Sequence, residues 1–194
     1  MVRSYTDKEL LNKVQEIKNF KGIPTDYWLL GVRSNEDITD IFDDKIYIYK
    51  GTEFIKVLRA TTNPGKVILQ GGFKKYNKDG AAVLKSDYWH YDCWMFGLHI
   101  GKMEALRQCN NMPYYRDGDE DGKSEEIGKL YTGIVGLNFH GSTYHKNKDI
   151  KRSSVGYWSA GCQVCADNLD YRDVIKKFKE SYQNRFTYCL INEF

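Results

Sequence analysis

Apolar residues in this chain mostly alternate with polar ones over short runs, and in two stretches they recur at every third or fourth position instead. In the first stretch Leu10, Leu11, Val14, Ile17 and Phe20 follow Thr6 and Glu9. A threonine with glutamate three residues later is a capping box, and Gly22 and Pro24 stop the run, so the pattern predicts a helix. In the second, Tyr171, Val174, Ile175, Phe178 and Tyr182 form a stripe behind a cap at Asp167 or Asn168. The first helix reads as amphipathic and packed on the domain, with a partner-binding arm as the other reading.

Between the helices the period is two. Residues 27–34 read as a buried strand, and 43–60 as a hairpin hinged at Lys50-Gly51. Thr61-Thr62-Asn63-Pro64-Gly65 then turns the chain. Further short strands are predicted at 67–70, 81–84, 89–98, 103–108 and 134–140, the last carrying His140 at its end, and a terminal strand at 185–191. No repeat, low-complexity segment or linker marks a boundary. The expectation is one α+β domain, mostly antiparallel sheet, with a helix near each end.

Composition agrees with that picture. The 194 residues suffice for one sizeable core, and 17 glycines, 3 prolines and 15 tyrosines suit strands joined by tight turns. A net charge of +3 with interleaved signs leaves no nucleic-acid footprint, and no stretch approaches the roughly 20 apolar residues of a membrane span. Met1 to Glu9 has no apolar run that would engage a secretion channel, so synthesis in the cytoplasm is expected, with any export by another route. Five cysteines, Cys93, Cys109, Cys162, Cys165 and Cys189, form an odd, scattered set unlike a disulfide framework. Oligomeric state leaves no trace in the sequence, and nothing calls for a cofactor.

Chemistry concentrates in His140-Gly141-Ser142 and in Trp158-Ser159-Ala160-Gly161-Cys162-Gln163, whose cysteine stands twenty-two residues after the histidine. A cysteine beside glycine can present its sulfur and nearby amide N–H groups to one carbonyl, with the histidine as base: the minimum for acyl transfer. The blander reading of Cys162 is a small buried hydrophobe. Cys162 and Cys165 also form a CxxC. The predicted antiparallel hairpins upstream do not suit a thioredoxin-like βαβ site, and Ser142 stands where a zinc deaminase needs glutamate. A structural zinc on His140, Cys162 and Cys165 would need a fourth ligand such as Cys109 or His145.

His140-Gly141 followed by Ser159-Ala160-Gly161-Cys162 resembles the catalytic motif of L,D-transpeptidases, a histidine at a strand end and then a Ser/Thr-x-Gly-Cys turn. The stretches around Gly31-Val32-Arg33-Ser34, Tyr114-Tyr115-Arg116-Asp117 and Trp158 to Val164 resemble a less studied branch from Bacteroidetes-type bacteria and their phages. The resemblance covers most of residues 27–194 and implies a β-sandwich catalytic domain there, with 1–26 as a helical extension. It implies Cys162 as nucleophile and His140 as base, oriented by a carbonyl near Gly141 or a hydroxyl such as Ser142. Ser159, Ala160 and Gly161 would form the oxyanion turn with Cys162. The substrate would be a peptidoglycan stem peptide, cross-linked or hydrolysed, with the cell wall as the site of action, that of the host for a phage lytic or remodelling protein. Ala160 stands where the family most often has histidine, Val164 where it usually has arginine or asparagine, and the gap from His140 to Cys162 is a few residues longer than is common. These departures touch the donor-peptide subsite, and they keep open a non-catalytic wall-binding or virion module on the same fold.

Other residues invite a role. Tyr157, Trp158 and Gln163 beside the nucleophile are candidates for the substrate cleft, as is His99 on its apolar strand, although a satisfied structural histidine is the simpler reading. Lys146, Lys148, Lys151 and Arg152 make a basic loop between base and nucleophile, either solvated or drawn to an anionic wall polymer. Asp117, Asp119 and Asp121, followed by Gly122, open like a calcium loop, but the twelfth position is Gly128, and Glu125 and Glu126 stand out of register. A solvated acidic turn is the alternative.

Overall fold

The computed structural model describes residues 1–36 and 39–194. In chain order the elements are α1 (Asp7–Gln15), β1 (Tyr27–Arg33), β2 (Asp44–Lys50), β3 (Glu53–Thr61), β4 (Ala81–Leu84), β5 (Tyr88–His99), β6 (Met103–Gln108), β7 (Met112–Asp117), β8 (Tyr131–Gly133), β9 (Phe139–Gly141), β10 (Gln163–Cys165), α2 (Asn168–Glu180) and β11 (Phe186–Asn192). The chain is α+β and mostly sheet, as its periodicity predicts.

The β-sandwich expectation is corrected. Eight strands close into a barrel in the order β1-β11-β5-β6-β9-β10-β3-β2, and β4, β7 and β8 form a separate three-stranded sheet. Two three-residue strands make the closure: β9 pairs with β6 on one side and with β10 on the other, and β10 pairs with β3. Closing the sheet removes the exposed edges that a sandwich must protect. Most pairings are antiparallel, but β1 with β11 and β9 with β10 run parallel.

Both faces of β1 are covered, which is why it reads as a continuous apolar run. Leu29 points into the barrel with Ile46, Leu58, Trp94, Phe139 and Tyr188, and α2 adds Tyr171, Val174, Ile175 and Phe178 to the same core. Trp28, Leu30 and Val32 point the other way, against Leu10, Val14 and Ile17 of the N-terminal segment. The predicted capping box is present at Thr6 and Glu9, and Trp89 Nε1 donates to Val14 O at 2.8 Å. Residues 1–26 are thus an outer layer of the barrel. Each large apolar side chain buried there contributes about 2 kcal/mol.

Two predicted strands differ. Ile68–Gly72 is one helical turn, with the N–H groups of Ile68 and Leu69 both donating to Gly65 O, and the chain leaves it at Gly71 with φ +91. Residues 134–138 are a loop, because the N–H groups of Val135, Gly136 and Leu137 all donate to the Gln108 side-chain oxygen and none is left for a strand neighbour. Of the predicted strand only 139 and 140 pair, as the start of β9. β7 and β8 were not anticipated.

Candidate active site

His140 occupies the middle of β9, in register with Val164 of β10, and is fully buried. Its Nδ1 lies 2.7 Å from Gly141 O. A carbonyl can only accept, so Nδ1 carries the proton and Nε2 presents a lone pair. That Nε2 has no partner among the described residues. Gly141 has to be glycine, since a Cβ there would stand 2.8 Å from the Tyr171 ring. Ser142, the hydroxyl alternative for orienting the base, does not do so: its Oγ donates to Ala166 O at 3.1 Å, and the Gly141 carbonyl holds the ring.

Cys162 ends a turn built by Ser159. The serine Oγ donates to Cys162 O at 2.8 Å and accepts from Gly161 N–H at 3.2 Å. Gly161 takes φ +128, a conformation suited to glycine, and a Cβ would meet Ala82 O at 2.3 Å. The Cys162 thiol donates to Gly136 O at 3.3 Å, and the Asn138 backbone N–H points at the sulfur. One ring nitrogen each of His99 and His140 and the Cys162 sulfur all lie within 4.8 Å of one another. The two imidazoles stack, centroids 3.9 Å apart.

Burial dominates the electrostatics. It pushes the Cys162 thiol up to about 11, against the opposing Asn138 N–H. It pulls His140 down to about 3, helped by His99 beside it and opposed by the Gly141 carbonyl. His99 is lowered as well, by burial first and by Arg107 second. At neutral pH the pair therefore rests as thiol and neutral imidazole. A neutral imidazole beside a thiol can take its proton in the course of a nucleophilic attack, without a preformed thiolate.

The sulfur faces a cleft of about 540 Å³, whose walls include His99, Arg107, Gly136, Asn138, Tyr157, Trp158 and Ala160. His99, Tyr157 and Trp158, three of the cleft candidates, line it. Gln163 does not: it is fully buried, accepts from Tyr188 OH at 2.7 Å and donates to Gly161 O at 3.2 Å, so it fixes the turn from behind. Of the N–H groups that the resemblance assigns to an oxyanion turn, that of Gly161 is taken by the Ser159 Oγ. The N–H groups of Ala160 and Cys162 have no partner among the described residues, and both residues line the cleft. In the basic loop, Lys151 pairs with Asp167, and Arg152 donates to Ser142 O and lies over Trp158.

Sequence spacing missed a relay behind His99. Gln108 N–H donates to Asn138 Oδ1 at 2.8 Å, and this fixes the amide so that Asn138 Nδ2 faces His99 Nδ1 at 3.2 Å. His99 Nδ1 must then accept, which leaves its proton on Nε2. Arg107 was also missed; it reaches the cleft from β6 and forms no ion pair among the described residues. Alternation is the one signal for it, between inward Leu106 and Gln108.

No family model, curated protein or solved structure matches the chain. The CxxC does not act as a unit: Cys162 packs with Phe42, Val155 and Val164, while Cys165 points into the barrel core. Cys165 does not join the group formed by His99, His140 and Cys162. A thiophilic cation held by that group would have to take the lone pair that His140 offers as a base. Among the described residues, no helix is long and apolar enough to cross a membrane.

Proposed function

We propose that this chain is a cysteine acyl-transfer enzyme of L,D-transpeptidase-like chemistry acting on peptidoglycan stem peptides. The observation that carries the reading is His140, its ring oriented by Gly141 O with Nε2 unpartnered and one ring nitrogen within 4.8 Å of the Cys162 sulfur, at a cleft. A base with its second nitrogen held by a carbonyl is the arrangement a base-activated thiol requires.

In this reading His140 Nε2 takes the thiol proton as the sulfur attacks a peptide carbonyl. The carbonyl oxygen becomes an oxyanion facing the free N–H groups of Ala160 and Cys162. The C–N bond breaks, the leaving amine takes the proton from the imidazolium, and a thioester remains on Cys162. An amine acceptor then yields a cross-link and water yields hydrolysis, with His140 again accepting the proton. Stem peptides carry carboxylates, and the unpaired Arg107 guanidinium at the cleft suits one. It offers the charge that Val164, buried in β10, does not. The site of action would be the bacterial wall, or the host wall for a phage-borne protein.

The buried, high-pKa thiol supports a second reading, a wall-binding module on the same scaffold. Mass spectrometry of muropeptides incubated with wild type and Cys162→Ala separates the two. A product that depends on Cys162 is expected; binding without such a product would leave the module.

A further inference from the structure

We infer, resting on the proposed function, that Asp40 is a positioning residue: its carboxylate fixes how two stretches that supply cleft walls stand to each other, and so how a donor peptide is seated. One stretch is 154–158, which ends in Tyr157 and Trp158; the other is the turn from Gly65 that leads into Phe73. Asp40 is not itself among the residues that line the cleft.

The first wall hangs on this one residue. Gly156 N–H donates to Asp40 Oδ1 at 2.7 Å, Ser154 Oγ donates to Oδ2, and Val155 N–H donates to the Asp40 backbone oxygen at 2.9 Å. Among the described residues, these are the hydrogen bonds that tie 154–156 to distant parts of the chain; Trp158 N–H, on Val155 O, closes the next turn. Oδ1 also accepts from Lys66 N–H at 3.2 Å. Lys66 opens the turn in which the Ile68 and Leu69 N–H groups donate to Gly65 O, and Phe73 follows it. One carboxylate therefore holds both stretches. They are pressed together beside it, for a Cβ on Gly65 would stand 2.0 Å from Gly156 O. The acidic loop meets the same turn through Glu120 and Gly122, while Asp119, Asp121 and Glu125 gather apart from it and Asp117 is buried outside that group.

The backbone of Asp40 is under strain. Its φ is +73, a left-handed conformation that aspartate and asparagine enter more readily than other side chains, still at a cost. Such strain persists where the surrounding contacts demand it, and here they are the four hydrogen bonds to the two stretches. The cysteine turn is secured separately: Ser159 O accepts from Gly65 N–H at 3.0 Å, and Ser159 Oγ bridges Gly161 and Cys162. Loss of the Asp40 side chain thus frees the walls and leaves the thiol in place.

The test compares Asp40→Ala with Asp40→Asn, which keeps an acceptor oxygen and tolerates the left-handed backbone. Steady-state kinetics of the full chain with a stem tetrapeptide should give a KM about tenfold higher in Asp40→Ala with kcat within about threefold, and Asp40→Asn should recover most of the loss. A residue that only supports the fold would lower the active fraction, and so kcat, at unchanged KM. Iodoacetamide should alkylate Cys162 within about twofold of the wild-type rate in both variants. Calorimetric binding of the same peptide is measured in the Cys162→Ala background, where no turnover is needed, and adding Asp40→Ala should weaken it about tenfold. Absence of any Cys162-dependent product would remove the proposed reaction and leave that binding difference standing. A fall in kcat at unchanged KM, equal affinity with and without Asp40→Ala, no binding in either protein, or markedly slower alkylation would each overturn the role of Asp40.

Discussion

The imidazole of His99 lies on that of His140, centroids 3.9 Å apart and planes inclined by 23°. The contact covers one face of the His140 ring, and His99 makes its protonation less favourable. With the thiol held near 11 and His140 near 3, no ion pair forms at rest. Alkylation of Cys162 should therefore quicken about tenfold per pH unit towards pH 11, following the thiolate fraction. A plateau at about pH 5 to 8, read by mass spectrometry of the alkylated peptide, would show an imidazolium–thiolate pair and defeat this account.

Removing His99 tests the other half of that relationship. His140 is depressed first by burial and then by His99, so His99→Ala should let water in and raise the His140 pKa towards the ordinary histidine value. A protonated His140 cannot accept the thiol proton, so on the proposed function activity is lost below its pKa. The variant's deficit relative to wild type should grow as pH falls from about 7 to 5. A deficit that stays constant with pH would show that His99 merely packs.

Gln108 holds the loop that carries Gly136 and Asn138. Its Oε1 accepts from three backbone N–H groups, and its Nε2 donates to Asn110 O and Gly133 O. Gln108→Ala leaves these groups in search of partners, at a cost of about 2 to 4 kcal/mol. A fall in Tm of roughly 4 to 16 °C is expected by calorimetry, with slower turnover in the protein that remains folded. An unchanged Tm would mean that water replaces the side chain.

Much of this was legible in the sequence, and the parts that were not share a cause. The capping box at Thr6, the stripe from Tyr171 to Phe178 and the hairpin hinged at Gly51 are local patterns that fold as read, whereas Tyr182, read as the last member of the stripe, lies beyond α2 and is exposed. His140 and Cys162 were visible because their glycine neighbours mark special backbone. Barrel closure depends on two three-residue strands that carry almost no periodicity. Val135 and Leu137 look like strand residues, yet a glutamine 27 and 29 positions earlier takes up their N–H groups. Gln163 abuts Cys162 in sequence but, one step along the chain, points to the opposite face.

Arg107 is the strongest test of substrate class. Its stem crosses Gly97, where a Cβ would stand 2.6 Å from Arg107 Cδ, so the absence of a side chain there lets the guanidinium reach the cleft. On the proposed function it receives a stem-peptide carboxylate, an interaction made equally in ground and transition states. Losing a charge-assisted hydrogen bond of about 1.5 to 3 kcal/mol should raise KM by roughly 10- to 150-fold and leave kcat nearly unchanged. Arg107→Lys should recover part of the loss, since a point charge replaces a bidentate fork. Steady-state kinetics with a stem peptide and with its carboxamide would decide it: the amide should lose affinity for wild type and little for Arg107→Ala. Equal discrimination by both proteins would place carboxylate recognition elsewhere.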